Sequence, residues 1–252
     1  MNKNKSVLIT GGAQRIGKSI ALHLAKKKWN LAIQYNRSED DIKKLKNQVK
    51  GYGIKFNCYK FDFENDENFS ELFKQVNNEL GKIDLLINNA SAFDYDTITS
   101  SNLELFNRHI NVNLRAPFFL SKYFVKNIKK NGLIINILDQ RVKNITPYFT
   151  SYTISKSGLY TLTKSLALNL APNIRVNGIS PGPTLKSKHQ SSQQFKKQIS
   201  KTPLQKQVSL DEINLAIDYL IYCKSVTGEV LTIDSGQSLG WANSNSKNFS
   251  ND

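Results

Sequence analysis

The chain has 252 residues, 39% of them hydrophobic, and carries 35 Lys and Arg against 20 Asp and Glu, a formal net charge of +15. That length can bury a full core and makes one domain the default. No run of eighteen apolar residues occurs, which argues against a membrane span, and Met1-Asn2-Lys3-Asn4-Lys5 leads directly into a strand-like segment, so no signal peptide is expected.

Taken in order, the chain alternates strand and helix. Val7–Thr10 reads as a short buried strand, followed by a glycine-rich turn and a helix from Ile16 to Lys28 whose apolar face is Ile16, Ile20, Leu24 and Ala25. Leu31–Tyr35 is a second strand and Glu39–Lys50 a charged helix. Ile54–Tyr59, Glu67–Leu80 and Ile83–Asn88 continue as strand, helix and strand. A long helix is expected over about 103–130, then a strand at Leu133–Leu138, a helix at Tyr152–Leu170 and a strand at Ile174–Ile179. Leu210–Cys223 and Glu229–Ile233 supply the last helix and strand. This alternation predicts an α/β fold: a single Rossmann-type, doubly wound parallel sheet with helices on both faces.

Residues 186–207 stand apart as a polar stretch rich in Ser, Lys and Gln, after the hinge-like Pro181-Gly182-Pro183-Thr184. It is expected to be a mobile substrate lid; the alternative is a plain surface insertion. The polar tail 242–252 is expected to fray. Lysines are scattered through helices and loops, so the positive charge reads as solvated surface, with neither nucleic acid nor membrane as partner. Some of that field would attract a phosphorylated cofactor. Cys58 and Cys223 have no metal spacing and read as free thiols in a reducing cytoplasm. His23, His109 and His189 are dispersed, and no metal site is expected.

The chemistry concentrates at three places. Thr10-Gly11-Gly12-Ala13-Gln14-Arg15-Ile16-Gly17 joins the first strand to the first helix, where glycines let backbone N–H groups approach a pyrophosphate. At the end of the second strand, the position that would be acidic for NAD, stands Tyr35-Asn36-Arg37-Ser38. Arg37 and Ser38 suit a 2′-phosphate, which points to NADPH; the alternative for Arg37 is an exposed loop arginine. Asp62, after the third strand, is placed to bond the adenine amino group, and Asn88-Asn89-Ala90 ends the fourth beside the expected cofactor. Finally, Tyr152 and Lys156 lie one helical turn apart in Ser151-Tyr152-Thr153-Ile154-Ser155-Lys156, with Asp139 just upstream at a strand end. A phenol titrates near about 10, and a neighbouring cation is expected to lower that and make it a tuned proton donor.

These motifs together resemble the short-chain dehydrogenase/reductase family from Val7 to about Trp241, through Thr10–Gly17, Asp62, Asn88-Asn89-Ala90, Asn113, Tyr152/Lys156, Pro181-Gly182 and the Thr227–Gly236 stretch. The resemblance implies one NADP-binding reductase domain over residues 1–241. Two departures from the common pattern, Arg15 for a middle glycine and Asp139 for the usual serine, are similar to the pteridine reductases and the dihydromonapterin/dihydrofolate reductases. In that subgroup the aspartate pairs with the active-site tyrosine and an aromatic residue stacks on the pterin, roles that would fall to Asp139 and Phe93. Ser91 matches as well, and Arg15 would lie near both cofactor phosphates and pterin. A carboxylate also accepts from the amino and ring N–H groups of a pterin better than a hydroxyl does. The family implies that Asn113 fixes a water chain to Lys156, and that the chain is a homotetramer through the long helix and the Tyr152 helix.

The expected activity is therefore hydride transfer from NADPH to a dihydropterin or dihydrofolate. Tyr152 would give the proton, Lys156 would hold the nicotinamide ribose and Asp139 would orient the substrate. Alternatives stay open: Phe93 as a core aromatic, Asp139 as a turn cap or partner of Arg141, and Asn113 as a helix brace. A 3-oxoacyl thioester or other ketone reductase is the competing enzyme, and a non-catalytic NADPH- or nucleic-acid-binding protein the reading of another class.

Overall fold

A computed structural model describes residues 4–128, 131–188 and 190–240. The tail 242–252, the end of the long helix at Lys130, and His189 lie outside the described residues. Seven strands form one parallel sheet in the order β3-β2-β1-β4-β5-β6-β7. They are β1 (Ser6–Thr10), β2 (Asn30–Tyr35), β3 (Phe56–Lys60), β4 (Leu85–Asn88), β5 (Gly132–Ile137), β6 (Ile174–Pro181) and β7 (Val230–Ile233).

The central strands are apolar runs because helices cover both faces. Successive side chains alternate between two cores. Val7, Ile9, Leu31, Ile33, Leu85, Ile87, Leu133 and Ile135 meet one helix layer, and Leu8, Ala32, Leu86 and Ile134 meet the other. The first layer is α1 (Arg15–Lys26), α2 (Glu39–Val49) and α8 (Leu210–Tyr222), through Ile20, Leu24, Leu45, Ile213 and Ile217. The second is α3 (Phe69–Leu80), α5 (Ala116–Asn127) and α6 (Thr150–Leu170), through Phe73, Val76, Leu120, Phe124 and Ala167. The order of strands reverses direction between β1 and β4, and ligands of open sheets of this kind bind at such a switch point, beyond the carboxyl ends of the strands.

The expected long helix is two helices. α4 (Leu103–Ile110) passes through a π turn at Asn111–Arg115 into α5. Pro117, in the first turn of α5, is the cause. It has no N–H for the carbonyl four residues back, that of Asn113, and its ring crowds that carbonyl, so the helix widens there. The polar stretch 186–207 also carries structure: α7 (Ser192–Ser200) starts with a capping box between Ser191 and Gln194. None of its residues is buried.

Candidate active site

The glycine-rich turn leaves β1 at Thr10 and reaches α1. Gly11 has φ +59°, and a Cβ there would stand 3.0 Å from the Ala90 Cα. A Cβ on Gly17 would collide with the Gly11 carbonyl oxygen and the Asn89 amide. Glycine at both positions therefore keeps an open cradle at the N-terminus of α1, where backbone N–H groups favour an anion. Its walls are tied to three strands. Thr10 Oγ1 accepts from the Asn89 and Ala90 amides, each at 2.9 Å, and Asn89 Nδ2 donates to the Thr10 carbonyl at 2.9 Å. Buried Gln34 on β2 accepts from Gly11 N at 2.9 Å and donates to the Phe61 carbonyl at 2.6 Å. Ile16 packs half-buried against the core beneath the turn.

At the end of β2, Tyr35 is half-buried and Arg37 exposed, and Ser38 occupies the N-cap of α2 without capping it. Among the described residues, neither the Arg37 guanidinium nor the Ser38 hydroxyl has a side-chain partner. Asp62 follows β3, but its carboxylate closes a local turn, accepting from Glu64 N and Asn65 Nδ2 at 3.0 Å each. Arg15 stands at φ +52° and reaches the polar stretch beyond β6, donating to the carbonyls of Leu185 (3.1 Å) and Lys186 (2.8 Å). Pro181 ends β6, and Gly182 N donates to the Ile233 carbonyl at 2.9 Å.

Asp139, Tyr152 and Lys156 converge past the end of β5. The Tyr152 hydroxyl donates to Asp139 Oδ2 at 3.0 Å. The other carboxylate oxygen accepts from the Arg141 amide at 2.9 Å and from Arg141 Nη1 at 3.3 Å. Lys156 is 2% exposed, donates to the Ile137 carbonyl at 2.8 Å, and stands 5.9 Å from the centre of the Tyr152 ring. Burial pushes its ammonium down to about 8, against the pull of Asp139.

The electrostatics correct one expectation. The Tyr152 phenol is pushed well above its ordinary value, by burial first and the Asp139 charge second. The cation that opposes this is Arg141, and the nearby Ser91 hydroxyl works in the same direction. Lys156 is not the group that tunes the phenol in this structure. Its bond to the Ile137 carbonyl turns it to the strand end. Tyr152 is thus held as a protonated donor aimed at a carboxylate.

Phe93 is half-buried, but not a simple core residue. It stacks on Phe149 with ring centres 4.6 Å apart and planes at 7°, and it meets Tyr152 edge-on at 4.7 Å. Phe149 therefore covers one face of Phe93. The Arg141 guanidinium lies 4.8 Å from the centre of Phe149 and 5.5 Å from that of Phe93. The Asn113 side chain braces the β4 loop: Oδ1 accepts from Ala92 N at 2.8 Å, while Nδ2 donates to the Ala92 carbonyl and to Ser155 Oγ, both at 2.9 Å.

A family profile described as Enoyl-(Acyl carrier protein) reductase matches residues 11–238. The chain belongs to the short-chain dehydrogenase/reductase family. It is therefore an oxidoreductase by family. Among solved structures it is similar to FolM alternative dihydrofolate reductase 1 of Brucella canis, complexed with NADP, at 40% identity and TM-score 0.91, covering 97% of this chain and 98% of that one. The Brucella suis counterpart, also with NADP, is 39% identical with TM-score 0.92, covering 99% and 100%. Among curated proteins it is 32% identical to the 3-oxoacyl-[acyl-carrier-protein] reductase FabG of Buchnera aphidicola over 92% of this chain and 96% of that protein. An uncharacterized oxidoreductase of Thermotoga maritima is 31% identical over 93% and 97%.

Several groups of this short-chain dehydrogenase/reductase escaped the reading of its sequence. Beside Tyr152, buried Asp96, Ser151 and His109 form a polar chain. The Asp94 amide donates to His109 Nε2 at 3.1 Å, so the ring proton sits on Nδ1 and is given to Ser151 Oγ at 2.7 Å. Ser151 Oγ donates in turn to Asp96 Oδ2 at 2.5 Å. Burial lowers the His109 pKa, keeping it neutral in this chain. Burial works against the Asp96 charge, yet the Ser151 hydroxyl and amide hold its carboxyl below the usual range. Gln34 and Phe149 are the other additions. The alternative weighed for Asp139, a turn cap and partner of Arg141, is present beside its bond to Tyr152.

Proposed function

We propose that this chain is an NADPH-dependent reductase acting on a pterin, taking a dihydropterin or dihydrofolate to the tetrahydro form. The observation that carries the reading is the 3.0 Å hydrogen bond from Tyr152 to Asp139. It gives the site an acceptor-only carboxylate where a carbonyl reductase needs a hydroxyl donor. The likeness to the two Brucella proteins named as alternative dihydrofolate reductases supports it.

The residues present suit the cofactor. The cradle that a Cβ at Gly11 or Gly17 would fill, with Ile16, Asn89 and Ala90 around it, takes the pyrophosphate. Arg37 and Ser38, without a side-chain partner among the described residues and beside Tyr35, take a 2′-phosphate. Asp62, Pro181, Gly182 and Lys156 hold the adenine, nicotinamide and ribose. When bound, NADPH supplies the hydride. Tyr152 gives its proton to the ring nitrogen beside the carbon that is reduced and regains one from solvent, because burial and the Asp139 charge disfavour the phenolate, and Asp139 accepts from the substrate's N–H groups. Phe93, with Phe149 behind it, presents an aromatic face to the flat ring, and Ser91 and Arg15 border it. Asn113, whose side chain reaches Ser155 beside Lys156, takes the place in a water relay to Lys156.

Residues 186–207, joined to the cofactor loop through Arg15, serve as the substrate lid. Exposed Phe118 on α5, with Ile154 and Leu168 on α6, supplies apolar surface for a homotetramer. Among the described residues no helix is long and apolar enough to cross a membrane. Free Cys58 and Cys223 suit a reducing compartment such as the cytoplasm.

The likeness to FabG favours a second reading, reduction of a 3-oxoacyl thioester. Asp139→Ser separates the two. On the pterin reading it lowers dihydropterin kcat by about 100-fold, as expected for a lost orienting group, and leaves NADPH affinity unchanged. Full dihydropterin turnover in that variant would remove the role given to Asp139.

A further inference from the structure

Arg141 lies in the short 3-10 turn Gln140–Val142 that follows β5. Two of its groups hold one oxygen of Asp139: the backbone amide at 2.9 Å and Nη1 at 3.3 Å. Its guanidinium carbon also lies 4.8 and 5.5 Å from the ring centres of the stacked pair Phe149 and Phe93. A guanidinium suits this double duty, because it is planar, permanently charged and stacks on aromatic faces. The side chain is only 16% exposed. Its Nε is buried without a hydrogen-bond partner among the described residues.

Its target differs from those of an arginine that only ties carbonyls together. Arg175 donates to three carbonyls, those of Leu220, Cys223 and Val226, and so closes the end of α8. Arg141 directs its one side-chain hydrogen bond to the carboxylate that accepts from the Tyr152 hydroxyl. With one Asp139 oxygen fixed by Arg141, the other is turned to the phenol. The side chain also joins this carboxylate to the aromatic wall.

We propose that Arg141 is a positioning residue of this enzyme: it holds Asp139 against Tyr152 and fixes the direction of the phenol proton. The proposal rests on the reading of Asp139 and Tyr152 as the substrate-facing pair. It predicts dependence in a specific sense, since Arg141 acts only through Asp139.

The test is a double-mutant cycle of Arg141→Met and Asp139→Ser, measured as kcat and as thermal unfolding of the cofactor-free protein. Methionine keeps an apolar stem against the two rings and removes the donors. Arg141→Met should lower kcat by about 10- to 100-fold, the scale of a misplaced reacting group, with the KM for NADPH within about twofold of wild type. In the Asp139→Ser background the same substitution should change kcat by less than about twofold, because its target is gone. Its loss of Tm should shrink there as well. Arg141→Lys, which keeps the charge without the planar fork, should recover part of kcat, and it carries the cycle if the methionine variant does not fold. Losses that multiply, or an Arg141→Met enzyme with wild-type kcat, would overturn the proposal.

The cycle is run on whichever substrate the wild type reduces, a dihydropterin or a 3-oxoacyl thioester. Turnover of the thioester alone defeats the pterin reading and still judges Arg141. With neither turned over, the Tm cycle decides: losses that simply add are the contrary result.

Discussion

Replacing Lys156 with methionine should stabilise the cofactor-free protein while abolishing turnover. Lys156 is 2% exposed, and burial moves its ammonium from 10.5 down to about 8. At about 1.4 kcal/mol per pH unit, that depression is a penalty on folding of roughly 3 kcal/mol near neutral pH. Methionine keeps much of the stem and carries no charge, so the penalty disappears. The Ile137 carbonyl loses its 2.8 Å donor, which returns about 1–2 kcal/mol of cost. The net gain is about 1–2 kcal/mol, or roughly 2–8 °C in Tm for a domain of this size.

The sign of the pH dependence makes the test sharp. The folded pKa lies below the unfolded one, so the folded protein loses this proton first. The wild-type penalty is full below about pH 8 and fades as the pH rises toward 10.5. The advantage of Lys156→Met should therefore shrink by about 2 kcal/mol between about pH 7 and about pH 9.5. Thermal unfolding of both proteins across a buffer series reads this directly. A difference that stays flat, or grows with pH, would refute the depressed ammonium.

Other perturbations test other parts of the site. Tyr152→Phe removes the hydroxyl that bonds Asp139 at 3.0 Å; kcat should fall by at least about 100-fold, the range of general acid catalysis, with NADPH affinity near normal by fluorescence titration. Arg37→Ala should weaken NADPH by about 10- to 100-fold, the worth of a charge-assisted contact, and leave NADH unchanged; equal loss for both cofactors would remove Arg37 from the 2′-phosphate site. Gly17→Ala would place a methyl 2.5 Å from Asn89 Nδ2, so unfolding should report a loss of about 1–3 kcal/mol together with weaker NADPH binding. An unchanged Tm would show that the cradle has slack.

Much of the frame was legible because strand and helix periodicities differ and the sheet is buried on both sides. The runs at Val7–Thr10 and Leu133–Leu138 mark strands at sight, and observed boundaries at Ser6–Thr10 and Gly132–Ile137 differ by a residue. The break in the long helix had its signal in Pro117, which was outweighed by the apolar periodicity on either side. The start of α7 had one in Ser191 and Gln194, whose capping box lay within a composition that resembles a loop. For the site, Asp139, Tyr152 and Lys156 could be placed together because a strand end and one helical turn suffice. The stacking of Phe149 on Phe93 could not, since it joins residues 93 and 149 through a left-handed backbone at Phe149 (φ +59°). The Asp96–Ser151–His109 chain was hidden for the same reason, as its members come from a loop and two helices. The role expected of Lys156 failed on a matter of degree. Spacing places a cation near the phenol, but only packing decides how far burial and a nearer carboxylate raise the pKa instead.

The most direct test is the oxidation of NADPH by the wild-type enzyme, followed by absorbance, with dihydrobiopterin, dihydromonapterin, dihydrofolate and a 3-oxoacyl thioester in parallel. A carboxylate-phenol pair backed by an aromatic wall should turn over at least one of the three heterocycles, with kcat/KM at least about tenfold above the thioester, a difference of about 1.4 kcal/mol in transition-state binding. Rapid reduction of the thioester with no consumption of NADPH on any heterocycle would contradict the account.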